Sequence, residues 1–308
     1  MIRSASWPAA NNYANSMNSR LSTSKIVFIG AGRLATGLSL ALHANGIAVQ
    51  AITSRNRDKS QALASRIPGC STVGMQAAVD LGDLVFIAVP DDAIASVAAQ
   101  LRWRPGQSAV HCSGATEIAV LSPALEAGAA IGGFHPLQTF TDPEVALATL
   151  PGCTVALEAE PELFSTLEHL AKAIGCRPFA LPKGARARYH ATGSYGAQFI
   201  NALLLEASAV WESFGKDREA AVRALLPLLK GTIAAIEHDG LAHGLAGPVS
   251  RGDAGTVRRQ LEGIAQVGDA HVALFRQLTR LTLPLAIERG SLSAVQIEAL
   301  RTLLEDKD

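Results

Sequence analysis

Residues 25–42 read KIVFIGAGRLATGLSLAL: four bulky apolar residues, Ile26–Ile29, stop at Gly30, and the chain resumes as a small-residue helical pattern. Gly30, Gly32 and Ala35 stand in the G-x-G-x-x-G/A spacing, directly after the strand and directly before the helix. Gly30 permits a tight turn, Gly32 lets a pyrophosphate approach the backbone, and Ala35 keeps helix and strand close. The helix start, which includes Arg33 and Leu34, offers unpaired N–H groups to the phosphates. A glycine turn with a purely structural role is the alternative, but the strand-turn-helix context favours a dinucleotide site at these five positions.

Outward from this stretch, short β-branched runs alternate with amphipathic segments: AVQAITS, DLVFIAVP, SAVHCSG and AAIGGFHP, separated by helical patterns at 33–45, 91–101 and 116–127. Strands apolar on both faces, alternating with helices, predict a doubly wound α/β fold of Rossmann type with a parallel sheet. GCTVALEAE, a helix near 161–174 and RPFALP add one further β-α-β unit. From Lys183 onward no strand is readable, and helices are expected at 185–214, 217–238, 253–264, 267–288 and 293–304. The predicted organisation is a disordered tail (1–24), a dinucleotide-binding domain (25–182) and an all-α domain (183–308) for substrate and dimerisation. The tail, rich in Ser and Asn without acidic residues, resembles a transit peptide in composition, and Met17 is a second possible start.

Composition narrows the partners. Lys plus Arg (27) balances Asp plus Glu (27) and aromatics make up 5%, which argues against nucleic acid or an acidic membrane surface. Small molecules are the expected ligands. Cys70, Cys112, Cys153 and Cys176 show neither a CxxC pair nor metal-ligand spacing, so reduced thiols in a cytoplasmic protein and no metal site are expected. No apolar stretch is long enough and free enough of charge to span a membrane.

The strand after the glycine motif ends in ITSRNRDKS. An NAD site usually places an acidic residue there for the ribose 2′-hydroxyl, whereas Ser54, Arg55 and Arg57 suit a 2′-phosphate, so NADP(H) is expected ahead of NAD. A solvated charged turn is the alternative. In IAVPDDAI, Val89 and Pro90 end a strand against the cofactor crevice, and Asp91 is placed to cap the next helix.

GAGRLATG, the SRN turn, AVPDD, HCSGA, FHPLQTF and GPVSRGD together resemble a family of predicted NADP-dependent oxidoreductases with a Rossmann-like first domain and a helical second domain of unknown function. More distantly the chain is similar to prephenate dehydrogenases, ketopantoate reductases and 6-phosphogluconate dehydrogenase-like enzymes. The resemblance to prephenate dehydrogenases implies a substrate-contacting histidine at His135 and a serine at Ser113. The Leu-Gln-Thr-Phe run after His135-Pro136 departs from that family's glycine-containing turn. Many enzymes of the wider group carry a Lys four residues before an Asn on one helix. Here Ala197 precedes Asn201, which moves a proton-transfer role to His135 or His190.

Independently of the resemblance, His135 ends a strand at the sheet edge where ligands of such folds bind, and imidazole suits proton exchange with an alcohol or carbonyl oxygen. A buried, backbone-satisfied histidine is the alternative. His111 lies two residues before Ser113, on the same side of a regular strand. Residues 191–205 are nearly all apolar or small, so this helix is expected to be buried. At ~100° per residue, His190, Ser194 and Asn201 form one polar stripe on it. Arg251, between glycines, is a candidate for holding a substrate carboxylate, and Asp253 for capping the following helix. The expected activity is NADP-dependent hydride transfer on a small carbonyl or hydroxy acid, ketopantoate-like in preference to prephenate-like. A nucleotide-binding sensor without turnover is the alternative from another class.

Overall fold

The computed structural model describes residues 24–305, so the expected disordered tail lies outside the described residues except for Ser24. The chain forms two compact units, the first ending at Ala197 and the second beginning at Gln198. The boundary expected near Pro182 falls earlier than this division, because residues 186–193 are tied to the sheet of the first unit by Arg186.

In the first unit β1 (Ile26–Ile29) leads to α1 (Arg33–Ala44), β2 (Val49–Thr53), α2 (Arg57–Ala64), α3 (Met75–Leu81) and β3 (Leu84–Ile87). A 3-10 turn at Asp91–Ala93 opens α4 (Ile94–Gln100), and β4 (Ser108–His111) follows. A second 3-10 turn at Ile118–Leu121 opens the short α5 (Ser122–Glu126), so two of the expected helices begin in the tighter winding. Then come β5 (Ala130–Pro136), α6 (Pro143–Thr149), β6 (Thr154–Ala159), α7 (Pro161–Ala173), β7 (Arg177–Ala180) and α8 (Arg186–Gly193).

The seven strands form one sheet in the order β2-β1-β3-β4-β5-β6-β7. All neighbours are parallel except β5 and β6, which run antiparallel. The predicted parallel sheet is therefore mixed: the added β6-α7-β7 unit is reversed relative to the strand beside it. Every residue of β1 and β3 is buried, as expected of strands covered by helices on both faces. On one face Phe28 stacks on Phe86 at 5.0 Å between ring centroids, and Phe134 meets Phe86 edge-on at 5.6 Å. Each such ring contributes roughly 1.5–3 kcal/mol by burial, and together they lock β1, β3 and β5 in register.

The second unit contains α9 (Phe199–Glu212), α10 (Arg218–His243), α11 (Ala254–Ala265), α12 (Asp269–Glu288) and α13 (Ala294–Leu304), and no strand among the described residues. Asp217 and Asp253 cap α10 and α11, and Ser293 with Gln296 forms a capping box on α13. The expected continuous helix over 185–214 is interrupted by a π turn at Ser194–Gln198. The 100° arithmetic does not hold across i→i+5 winding, so the polar stripe joining His190, Ser194 and Asn201 is not formed as drawn.

The core of this unit gathers Val249, Val257, Leu261, Leu283, Ala286, Leu300 and Leu304 around α11–α13. In contrast, α9 buries only Ser208, and α10 only Ala221 and Ala242. The apolar stretch expected to be buried is instead exposed at Tyr195, Phe199, Leu203 and Leu205. One chain does not supply the apolar surface to cover it. No helix among the described residues is long and apolar enough to cross a membrane.

Candidate active site

The glycine turn forms as its chemistry requires. Gly30 has φ +119°, and a Cβ there would lie 2.2 Å from the carbonyl oxygen of Ala88 on the neighbouring strand end. Its N–H donates to the Thr53 carbonyl at 2.7 Å. This glycine is demanded by the fold itself. Gly32 is different: its backbone is ordinary, φ −80° and ψ 178°, and a Cβ would meet nothing within 4 Å. It stands at the N-cap of α1 without a capping side chain, leaving the first-turn N–H groups open to an anion. Ala35 is fully buried under that turn.

A cavity of about 560 Å³ opens here, and Gly30, Gly32, Ser54, Arg55, Lys59, Val89 and Pro90 are among the residues that line it. Arg57 lines an adjoining cavity of about 330 Å³ together with Ser54 and Arg55. Arg33 is exposed at the start of α1, and Leu34 packs its side chain on the core. These two offer backbone N–H groups rather than side chains. Arg55 and Lys59 make the wall cationic, and a glycine whose side-chain space is empty makes room for a ligand. The cradle thus fits a phosphorylated dinucleotide. Lys59 escaped the sequence reading because it lies one helical turn past the SRN motif. We predict that Gly32→Val, which meets no protein atom, keeps the melting temperature and weakens NADPH binding at least tenfold, about 1.4 kcal/mol, in a fluorescence titration. Unchanged affinity contradicts the cradle.

The second part of the site grows from the far end of the parallel strands. β4 pairs with β5 only as far as His111 opposite Gly133. Beyond that point β5 is held by antiparallel β6 alone, with His135 opposite Ala156. Alternation along the strand sends Phe134 into the core and His135 to the other face. There His135 Nδ1 lies 3.0 Å from the hydroxyl of Tyr189, which is also 3.4 Å from the carbonyl oxygen of His135. The ring of His190 crosses that of His135 with centroids 5.6 Å apart. Both rings sit over Gly114, where a Cβ would approach His135 Nε2 to 2.7 Å and His190 Cδ2 to 2.4 Å. His135 faces a polar cluster, not packed hydrocarbon.

A fully buried arginine holds this arrangement. Arg186, at the start of α8, donates from Nε to Glu158 on β6 at 2.6 Å and from Nη1 to the Ser113 carbonyl at 2.8 Å. A Cβ on Gly133 would lie 1.7 Å from its Nη2. Gly133 and Gly114 therefore clear the space in which Arg186, His135 and His190 meet. One guanidinium links the segments after β4 and on β6 to the helix that carries Tyr189 and His190.

Ser113 is engaged within its own turn. Its hydroxyl donates to the Asp91 carboxylate at 2.7 Å and accepts from the N–H groups of Ala115 and Thr116, which positions Asp91 and the turn after β4. Asp91 in turn caps no helix; its carboxylate is exposed and points to Ser113. His111, fully buried, accepts from the Ser113 N–H through Nδ1 at 3.2 Å. Asn201 and Arg251 are exposed on the second unit, the latter in a 3-10 turn with its carbonyl bonded to Gln296 at 3.0 Å.

Burial, the neighbouring His190 and the Arg186 charge push the His135 pKa down to about 4, against the pull of Asp91. Burial and then Arg186 take His111 to about 3, and burial raises the Tyr189 hydroxyl to about 12. All three are neutral at pH 7. The histidine shifts have a stability consequence: above pH 6.5 neither state binds the extra proton and the stability is fully present. As pH falls from 6.5 toward 4, the unfolded chain takes protons that the folded chain refuses, costing up to ~1.4 kcal/mol per pH unit per histidine. Denaturant titrations at pH 7 and pH 4.5 should show this loss, reduced in His135→Gln. An equal loss in both proteins contradicts the shift.

The fold defines a class, a Rossmann-like α/β domain followed by a helical domain. A Rossmann-like domain model matches residues 9–136, and the model of a domain of unknown function, DUF2520, matches residues 153–282. No curated protein matches. Among solved structures, protein TM1727 from Thermotoga maritima is 24% identical with TM-score 0.69, covering 86% of this chain and 99% of its own. A reductive aminase from Aspergillus terreus in complex with NADPH and ethyl-5-oxohexanoate is 17% identical with TM-score 0.62, covering 89% and 98%. A pyrroline-5-carboxylate reductase from Coxiella burnetii is 18% identical with TM-score 0.53, covering 92% and 96%. At these identities the likeness establishes a shared fold.

Proposed function

We propose that the protein is an NADP(H)-dependent oxidoreductase that moves a hydride to or from a polar double bond of a small molecule. The observation that carries this reading is the juxtaposition of the cationic, open glycine cradle with His135 along one edge of one sheet. Pro90 lines the cradle, Asp91 follows it and is bonded to Ser113 beyond β4, and β5 carries His135 next door. Two structural neighbours, the reductive aminase in complex with NADPH and the pyrroline-5-carboxylate reductase, agree with it. Arg55, Arg57 and Lys59 support NADP(H) over NAD.

Gly30–Ala35 and Arg55 would hold the dinucleotide, which when bound supplies the hydride. His135 supplies the proton. With Tyr189 donating to Nδ1, the Nε2–H of His135 is free to pass to a developing alkoxide while Nδ1 takes the phenol proton. An alkoxide is a stronger base than a tyrosinate, so the relay runs downhill, and water returns the proton to Tyr189. His190 walls the ring of His135. A small keto acid of ketopantoate type is the first substrate class to assay. NADPH and NADH consumption across 2-keto acids, simple ketones and cyclic imines tests the reading. We expect NADPH-preferring turnover with at least one class; binding of NADPH without turnover of any would favour the sensor.

We also infer that α9, α10 and α12 form a homodimer interface. Most helical stability comes from packing an apolar face, and Leu226, Leu228, Ile233, Leu241, Leu278 and Leu281 on these helices are instead exposed. Only a second copy is guaranteed to carry the matching face. Light scattering should give twice the chain mass, and Leu228→Glu with Leu281→Glu should halve it; a wild-type monomer rejects the interface. The four free cysteines are consistent with a cytoplasmic location.

A further inference from the structure

We propose that Cys153 and Cys176 are a redox-active pair that closes to an intramolecular disulfide when a peroxide oxidises the protein. The two residues are lateral neighbours where β6 and β7 begin. The parallel register starts with Thr154 opposite Arg177, and one step earlier the Arg177 N–H donates to the Cys153 carbonyl at 2.8 Å. Neighbouring strands lie ~4.8 Å apart, inside the Cα separation of about 4.4–6.8 Å that a disulfide spans. Side chains of such neighbours leave the same face of a sheet, and these two are buried in one apolar cluster, 7% and 5% exposed. Cys176 reaches toward its neighbour: its thiol donates to the Leu150 carbonyl at 3.2 Å, the same oxygen that accepts from the Cys153 N–H at 2.9 Å. The two sulfurs are in hydrogen-bond contact.

The surroundings divide the pair into an attacking and a resolving sulfur. Contact with the Cys176 thiol holds Cys153 below the usual thiol range against the effect of burial, helped by the Leu137 N–H, while the same contact and burial push Cys176 up. Reaction with peroxide goes through the thiolate, so Cys153 reacts first. Burial takes Cys70 to about 11 and, against the pull of Arg186, Cys112 to about 12, which makes these two thiols internal controls. The pair also lies just beneath the surface. Pro151, Gly152, Gly175 and Arg177 around it are exposed, and β7 is an edge strand of the sheet, an element that opens locally at low cost.

The step balances with peroxide as the only added reagent. The Cys153 thiolate attacks one peroxide oxygen, an S–O bond forms as the O–O bond breaks, and the departing hydroxide takes up a proton and leaves as water. The Cys176 sulfur then displaces the hydroxyl of this sulfenic acid: the S–S bond forms, the S–O bond breaks, and the hydroxyl leaves as a second water with the Cys176 proton. Two thiols have lost two electrons and two protons, and the peroxide has become two waters. In a reducing compartment such a bond is transient and returns to the dithiol by thiol exchange. It joins β6 to β7 beside the point where the Leu137 N–H donates to the Thr154 carbonyl at 2.8 Å, immediately after His135 and Pro136 of β5.

The test treats the reduced full chain with hydrogen peroxide, without cofactor or substrate, and follows the thiol count, the intact mass and the peptide map. The expected result is a fall from four free thiols to two, a mass lower by two hydrogens, a cross-linked Cys153–Cys176 peptide, and full recovery in dithiothreitol. Cys153 should be consumed roughly tenfold faster than Cys70 or Cys112, since its thiol alone of the three is lowered. In Cys176→Ala the same reaction should stop at a sulfenic acid on Cys153 that dimedone traps. Gain of oxygen without cross-linking in the wild-type protein, a disulfide between other cysteines, or a Cys153 that reacts no faster than the two controls overturns the proposal. The readout needs neither NADPH nor turnover, so its outcome is independent of the reductase reading.

Discussion

Arg186→Met is expected to lower the stability of the first unit by ~3–5 kcal/mol, the usual cost of removing one partner from a buried ion pair. The pair is an extreme case: Arg186 is 0% exposed and Glu158 8%. Methionine fills much of the volume but leaves the Glu158 carboxylate and the Ser113 carbonyl without their donors. Two outcomes separate the electrostatic from the packing account. Arg186→Met with Glu158→Met should recover most of the loss, since a buried ion pair replaced whole by apolar side chains is often neutral. Gly133→Ala should instead destabilise with both charges intact, because its methyl would meet Arg186 Nη2. Urea unfolding followed by fluorescence and circular dichroism gives all three values, and a single variant as stable as wild type would remove Arg186 from its role as the tie between the sheet and α8.

Substitution of His135 by Asn should lower kcat by roughly 10²–10⁴, the range for loss of a general acid, while NADPH affinity changes by less than about twofold. The separation follows from the geometry. The cradle is lined from the ends of β1, β2 and β3, and His135 is not among its wall residues. Tyr189→Phe keeps the ring that packs against His135 and removes only the hydroxyl at 3.0 Å from Nδ1. Its loss of kcat should be smaller, and if the two variants are combined the losses should not add, as for groups that act as one unit. Steady-state kinetics on any substrate found in the panel checks this; a His135→Asn enzyme with full turnover leaves the histidine as a structural residue.

Features with a local chemical signature were legible before any coordinates. Gly30, Gly32 and Ala35 announce a strand-turn-helix cradle because three neighbouring constraints fall within six residues, and alternation of β-branched runs with helical periods suffices for the layered fold. His135 was found for the same reason, as a polar residue at the end of an apolar strand. The partners that give it chemistry were not. Tyr189 and Arg186 reach His135 and Ser113 from α8 only because β5 and β6 are antiparallel neighbours, and strand order leaves no mark on local periodicity. A carboxylate after a strand-ending proline has a local explanation as a helix cap, whereas the bond of Asp91 to Ser113 depends on the pairing of β3 with β4. Gly114 and Gly133 carry no local signal, because the side chains they accommodate lie far along the chain. The apolar run 191–205 was expected inside, where hydropathy puts it, whereas the single chain leaves much of it uncovered.

The decisive measurement is a crystal structure of the protein grown with NADP⁺. The predicted result places the pyrophosphate against Gly32 and the open N–H groups of α1, the 2′-phosphate by Arg55, and the nicotinamide ring within reach of the His135 imidazole. A dinucleotide bound away from the glycine turn, or a nicotinamide directed away from His135, would contradict it.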